Sequence, residues 1–403
     1  MKLLSPNPKA VIVVGQLLGT SLWFSPNSAV ESLSYAWNLT TAQFGQLTSC
    51  TQFGFIIGTL VLAVTGLADR FSASRIFAIA SVLGALFNGV FALGASDLGD
   101  AMVVRFLVGL CLAGIYPLGM KMIIGWTRGN AGSALGQLVA MLTLGSALPH
   151  LVRAAGGGLP WQLVVLTSSA LAVLGGLAVL ALGDGPFLPP RRVGRLSWGA
   201  SIGAFRSRSF RAAACGYFGH MWELYAFWTL VPFFVADALK GSDVERGVSG
   251  YVPAVAFMVI AVGAFGCLLA GRLSNRFGSQ SVAATALAVS GIMCIVYPLI
   301  RPYGAVVSLI ALLVWGIAVI ADSAQFSAAS AQACPPELVG GALAIQNSFG
   351  FAITIVSIML VTSSFPSQGI YVAWYLAPGP LVGLLFLLPS LRAAKGQPSS
   401  STA

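Results

Sequence analysis

The sequence predicts an all-α polytopic membrane protein with twelve transmembrane helices in two pseudo-symmetric six-helix bundles. Three observations carry that prediction. The 403 residues are 57% hydrophobic and 8% charged, whereas soluble domains are about 25% charged. A soluble core cannot absorb so much apolar side chain, so the solvent is lipid. The apolar residues form twelve runs of roughly 20, the length that crosses a bilayer as a helix. A short polar loop also recurs half a chain apart: Leu67-Ala68-Asp69-Arg70-Phe71-Ser72 follows the second run, and Leu273-Ser274-Asn275-Arg276-Phe277-Gly278 follows the eighth, 206 residues later. An internal repeat at that period is the mark of a duplicated bundle.

In chain order the runs span residues 9–30, 42–66, 76–96, 101–125, 131–152, 160–182, 210–236, 248–270, 280–300, 304–326, 340–363 and 370–390. The first is too long for a signal-peptide core and has no small-residue cleavage site, so it reads as a retained helix. The longest polar connection follows the sixth run. It divides the chain into an N-terminal half (1–182), a linker (183–209), a C-terminal half (210–395) and a polar tail (396–403). With the N-terminus cytoplasmic, the inside segments carry fifteen basic residues, and the outside segments carry Arg153, Lys240, Arg246 and Arg301. The positive-inside rule therefore puts both termini and the linker in the cytoplasm of an inner-membrane protein. The net charge of +10 is spread over short loops, so no nucleic-acid surface is implied. The six cysteines contain no CxxC pair, so no metal site or disulfide framework is expected. No Gly-x-x-x-x-Gly-Lys loop occurs and no cofactor is implied.

Over nearly its whole length the chain resembles the major facilitator superfamily. The loop Thr65-Gly66-Leu67-Ala68-Asp69-Arg70-Phe71-Ser72 is similar to that family's signature, with Thr65 and Ser72 in place of its two outer glycines. The second copy, Gly271–Gly278, keeps both glycines but has Asn275 where the acid stands. Arg105-x-x-x-Gly109 resembles a second family motif. The strings LWFSPNSAV, YPLGMKMIIGW, LGSALPH, GHMWELY and ADSAQFSA resemble a bacterial branch grouped with nitrate and cyanate carriers. That group's arginine pair in helices 2 and 8 has no counterpart here, and the helix-5 motif of drug antiporters is reduced to Gly145-x-x-x-Pro149.

The resemblance implies that helices 1, 4, 7 and 10 line a central cavity, and polar residues fall on those helices. In helix 1, Gln16, Thr20, Trp23 and Asn27 share one face. Helix 4 offers Arg105 and Tyr116, the arginine about one turn from the outer end, where it meets an anion or holds a carboxylate. Helix 7 offers Tyr217, His220 and Glu223; the last two are three residues apart and within reach of each other. Helix 10 offers Trp315 and, about one turn from its inner end, Asp322; helix 11 offers Gln346. A charge at bilayer depth costs roughly 2.5–3.5 kcal/mol, so an intramembrane acid is a functional candidate. A carboxyl in a partly dry cavity holds a proton more readily, which makes Glu223 the proton-coupling candidate with His220 and Asp322 beside it. Asp69, Arg70, Arg75, Asn275 and Arg276 read as a conformational latch, Asp69 accepting hydrogen bonds from a neighbouring helix N-terminus. Lys121 reads as a snorkelling lysine and His150 as interfacial. Helices 3, 6, 9 and 12 carry no charge and are expected to face lipid.

The expected activity is secondary transport by alternating access, in the form of proton-coupled uptake of a small polar or anionic solute. Proton-antiport efflux of a cation or lipophile and a non-transporting receptor or scaffold are the alternatives. The expected partners are a small-molecule substrate, protons and the lipid bilayer, with the chain a monomer.

Overall fold

A chain in lipid must satisfy its backbone internally, and this one does so with helices throughout. The computed structural model describes residues 7–127, 131–156, 159–188, 202–240, 251–335 and 338–395. The side chain of Asp69 lies outside that set. Span 1 is α1 (Pro8–Thr20), an irregular turn, a 3-10 turn and α2 (Val30–Trp37). Span 2 is α3 (Thr41–Thr65), and a one-turn α4 (Leu67–Arg70) leads to span 3, α5 (Ala73–Gly94). Span 4 is broken into α6 (Leu98–Leu112) and α7 (Tyr116–Gly125); spans 5 and 6 are α8 (Ala131–Ala155) and α9 (Trp161–Leu182). Spans 7, 8 and 9 are α10 (Arg208–Leu239), α11 (Tyr251–Phe277) and α12 (Ser279–Ile300). Span 10 is broken into α13 (Ala305–Ala321) and α14 (Ser323–Gln332); spans 11 and 12 are α15 (Val339–Gln368) and α16 (Pro378–Lys395). Among the described residues, nine stretches are long and apolar enough to cross a membrane. One of them, Gly341–Leu391, holds spans 11 and 12 together, and spans 1 and 7 complete the twelve.

Local chemistry sets the ends. Thr40 and Gln43 form a capping box at the start of α3. Gly66 closes α3 at φ +63°, a left-handed conformation that favours glycine. Breaks fall where the helix lacks support: before Pro117 in span 4, around Pro26 in span 1 and at Asp322 in span 10.

Small residues bring the spans together, as expected where lipid supplies no hydrophobic drive between helices. A Cβ on Gly109 would sit 2.0 Å from the Thr51 carbonyl oxygen, and one on Gly54 1.9 Å from that of Phe106, which locks span 2 onto span 4. The two six-helix bundles meet along α8 against α11 and α3 against α15. We call the end with both described termini the near end; odd-numbered spans run from it to the far end. At the far end a Cβ on Gly45 would lie 2.0 Å from Thr362 Oγ1, and Phe233 bridges Phe44 and Phe365 with ring centroids 6.3 and 5.2 Å away. That end is closed. Gly45→Val is expected to wedge it open and to slow transport about ten-fold or more, since 1.4 kcal/mol of destabilised closure suffices; transport rate per folded molecule measures this.

Candidate functional site

The two buried acidic residues described in the C-terminal bundle, Glu223 and Asp322, converge on span 10. Glu223, midway along α10, is 1% exposed. Its carboxylate accepts hydrogen bonds from Trp315 Nε1 at 2.5 Å, Ser290 Oγ at 2.9 Å and Cys294 Sγ at 3.4 Å. All three donors are neutral, and among the described residues no cation pairs with Glu223. His220, one turn earlier on α10, turns the other way: its Nδ1 lies 2.7 Å from Asp322 Oδ1. The two atoms are close but not aligned as a hydrogen bond, and His220 Nε2 has no partner among the described residues. The expected His220–Glu223 contact is therefore replaced by two separate contacts, because span 9 supplies a nest of small donors for Glu223. Asp322 is also placed differently from expectation. It stands at the break between α13 and α14, with ten helical residues beyond it, rather than one turn from the end. The two carboxylates thus bracket the break in span 10, Glu223 gripping Trp315 before it and Asp322 occupying it.

Arg105 occupies the corresponding centre of the N-terminal bundle, 1% exposed. Nε donates to Thr51 Oγ1 at 3.1 Å; one terminal nitrogen donates to Leu22 O at 3.2 Å and Asn88 Oδ1 at 3.0 Å; the other donates to Leu22 O at 3.2 Å and Trp23 O at 2.6 Å. Five N–H groups meet protein acceptors, and no carboxylate is among them. The carbonyls of Leu22 and Trp23 lie just past the end of α1, where a broken helix leaves acceptors unpaired. The guanidinium therefore caps the break, with a charge that suits the negative end of the α1 dipole. Ser25 Oγ also donates to Asn88 Oδ1, and Asn88 Nδ2 donates to Val165 O and Ser169 Oγ.

Of the remaining cavity candidates, Trp23 reaches across the interface of the bundles to Tyr225 and Phe351. Trp23 donates to Gln52 Oε1 at 3.0 Å and Asn27 to Thr48 Oγ1 at 3.3 Å. Thr20 Oγ1 returns to the Gln16 carbonyl. Trp23, Tyr225 and Phe351 form an aromatic knot across the bundle interface, with centroids 5.5, 5.7 and 5.2 Å apart pairwise. Phe55 and Tyr116 flank Trp23 at 5.0 and 6.5 Å. Trp315 stacks on Phe227 at 4.4 Å, and Tyr217 lies 6.0 Å from His220. Gln16 and Gln346 are fully buried.

Two readings of the outer helices change. Span 3 supplies Asn88 to the Arg105 cluster, and span 9 supplies Ser290 and Cys294 to Glu223, so neither is only a lipid-facing wall. Uncharged polar residues inside apolar runs were the available signal. His150 is 1% exposed and buried in α8 instead of interfacial.

At the near end the latch residues Arg70, Arg75, Asn275 and Arg276 are exposed, and Arg276 lies over the Phe277 ring. The acid that caps a helix there is Asp184, just beyond α9. Its carboxylate accepts from the backbone N–H of Ala73 at 3.2 Å and of Ser74 at 2.8 Å, the first turn of α5. Sequence reasoning missed it, although its Gly-Asp-Gly-Pro setting at a helix end was a signal. Lys121 Nζ donates to Ala68 O in the same region. Partial burial pushes the Asp184 carboxyl up, but hydrogen bonds from Ser74, Ser72 and Ala73 outweigh that and hold it below its ordinary value. A lowered folded-state pKa means its contribution is present above about pH 4 and is lost as pH falls through the folded value. Asp184→Asn is expected to cost about 0.5–1 kcal/mol at pH 7. Thermal unfolding of both proteins should show that gap closing as pH is lowered toward 3.

The model of the Major Facilitator Superfamily matches residues 12–358. The chain belongs to this superfamily. It is a multi-pass membrane transporter, and the fold match extends across the chain: the solved structure of the proton:xylose symporter XylE, bound to 6-bromo-6-deoxy-D-glucose, is similar at TM-score 0.71 with 16% identity, covering 96% of this chain and 95% of that one. No curated protein matches the sequence. For a superfamily transporter, the aromatic knot and the bracketed span 10 lie where the two bundles meet, between its two ends.

Proposed function

We propose that this transporter takes up a small polar solute into the cytoplasm, driven by the inward proton gradient. The observation that carries the reading is Glu223. A carboxylate buried at mid-membrane depth with three neutral donors and, among the described residues, no cation is held at an electrostatic cost that a proton removes. Its partners make protonation mechanical. As an anion it accepts from Trp315 on α13 and Ser290 on α12; a protonated carboxyl accepts those bonds more weakly. Proton binding thus loosens the grip on one side of the span 10 break, while the His220–Asp322 contact sits on the break itself. Alternating access then follows as the bundles rock about the centre, with the far end opening at the Gly45–Thr362 crossing. The basic residues of the near-end loops support a cytoplasmic near end. The similar fold of a proton:xylose symporter belongs to the same class of coupling.

The test is transport in proteoliposomes loaded at neutral pH and diluted into acidic medium with radiolabelled solute pools. Accumulation above the equilibrium level, abolished by a protonophore, is expected. Accumulation that survives the protonophore removes the proton from the reading. Export down the same imposed gradient would replace uptake with antiport.

A further inference from the structure

The knot of Trp23, Tyr225 and Phe351 gives a common reference level on spans 1, 7 and 11. All three spans are odd-numbered and run in the same direction. Stepping toward the near end, Gln16 lies seven residues before Trp23, His220 five before Tyr225, and Gln346 five before Phe351. At 1.5 Å per residue His220 and Gln346 leave their helices about 7–8 Å below the knot, and Gln16 leaves α1 about 6 Å below its end at Thr20, just before the turn that carries Trp23, which puts the three at a similar level. Span contacts agree with that layer. Gly350, one turn after Gln346, packs on Tyr217, which lies beside His220. On the other bundle, Gln16 Oε1 reaches so close to Gly119 that an added Cβ would be 2.0 Å away.

The layer is polar and unsatisfied. Gln16 and Gln346 are 0% exposed, and among the described residues neither amide nitrogen nor amide oxygen of either has a partner; the same holds for His220 Nε2. A buried amide without a partner is costly, and evolved cores avoid it unless a site needs it. Two unpartnered amides from opposite bundles and an imidazole nitrogen at a similar level offer donors and acceptors together. They do not offer charge. Arg105 spends five N–H groups on protein acceptors, and any charge on His220 is matched by Asp322.

We infer that Gln16, Gln346 and the His220–Asp322 pair form the solute site, roofed by the aromatic knot, and that the site takes an uncharged hydrogen-bonding solute rather than an anion. The inference rests on the transporter reading above and names the substrate class for its central site. Amides serve a ligand that both donates and accepts, such as a polyol, a carboxamide or a nucleoside. An anion brought into this layer would lose its hydration and, among the described residues, meet no buried cation that is not already engaged.

Purified protein in nanodiscs at neutral pH, with no gradient, would be titrated with uncharged probes (D-xylose, glycerol, acetamide, uridine) and anions (nitrate, cyanate, acetate, L-lactate). Thermal unfolding and Trp fluorescence report binding. Saturable binding of at least one uncharged probe, and of no anion, is expected. Gln16→Met and Gln346→Met should each weaken that probe at least about ten-fold, while the free variants unfold at no lower temperature than wild type, since an apolar side chain replaces an unpaired amide. Saturable anion binding, failure of every uncharged probe, or unchanged affinity in either variant overturns the inference. Binding needs no proton gradient, so the two readings fail separately. Protein that binds an uncharged probe but never accumulates it loses the coupling reading alone. Protein that accumulates an anion loses the substrate class alone.

Discussion

Glu223→Gln is expected to convert a concentrating transporter into one that only equilibrates its solute. One proton crossing 100 mV supplies about 2.3 kcal/mol, which sustains roughly a 50-fold solute gradient. Glutamine keeps the side chain's size; its oxygen can accept from Trp315 Nε1 and Cys294 Sγ, which share one carboxylate oxygen of Glu223, and its amide nitrogen can donate to Ser290 Oγ, which bonds the other. It cannot release a proton. Accumulation should therefore fall from about 50-fold toward unity, while solute exchange between two equal pools continues and loses its dependence on pH. Proteoliposome uptake under an imposed pH gradient, run beside exchange on the same preparation, separates these quantities. Undiminished accumulation by the variant would show that the coupling proton is carried elsewhere, with Asp322 the next candidate to test.

Removing Arg105 is expected to damage stability before it damages recognition. Arg105→Met strands the buried carbonyl of Trp23 and takes a donor from Leu22 O, Asn88 Oδ1 and Thr51 Oγ1, of which the first two keep Ser25 Oγ and the third its bond to Leu47 O. Buried polar groups left unpaired cost about 1–3 kcal/mol each. With one acceptor left unpaired and no charge left behind, the expected total is about 1–3 kcal/mol. Arg105→Lys should recover only part of it, because an ammonium has three donors and no planar fork. Thermal unfolding in detergent measures the loss, and solute affinity of the surviving folded fraction should be near wild type. A variant with wild-type stability and abolished binding would make Arg105 a ligand contact instead of a cap.

How far the site was legible in the sequence differs residue by residue. His220 and Glu223 announced themselves because an acid and an imidazole inside an apolar run are expensive in lipid. Their partners did not. Glu223 is held by Ser290 and Cys294 from span 9, and neither carries charge or a local pattern that reports a partner 67 or 71 positions away. Asp322 looked like a helix-end residue because hydropathy runs straight through the break; only the tertiary structure, with His220 and Glu223 of α10 reaching span 10 at Asp322 and Trp315, shows where its helix stops. Arg105 looked like an anion site because sequence cannot show that the carbonyls of Leu22 and Trp23 need a donor. The latch expectation named Asp69, whose side chain lies outside the described residues; the acid seen capping a helix start at that end is Asp184, 110 residues beyond Ser74.

By itself the sequence determined the solvent, the twelve-span architecture and the duplicated design, because hydrophobic length and repetition are properties of contiguous chain and lipid enforces them without reference to packing. It also determined which spans carry the costly groups. Which group meets which was decided only by the tertiary structure. Hydrogen-bond partnership in a helical bundle depends on the rotation and level of helices far apart in sequence. The separation of His220 from Glu223, the spending of Arg105 on a broken helix and the unpaired amides of Gln16 and Gln346 all arise at that level.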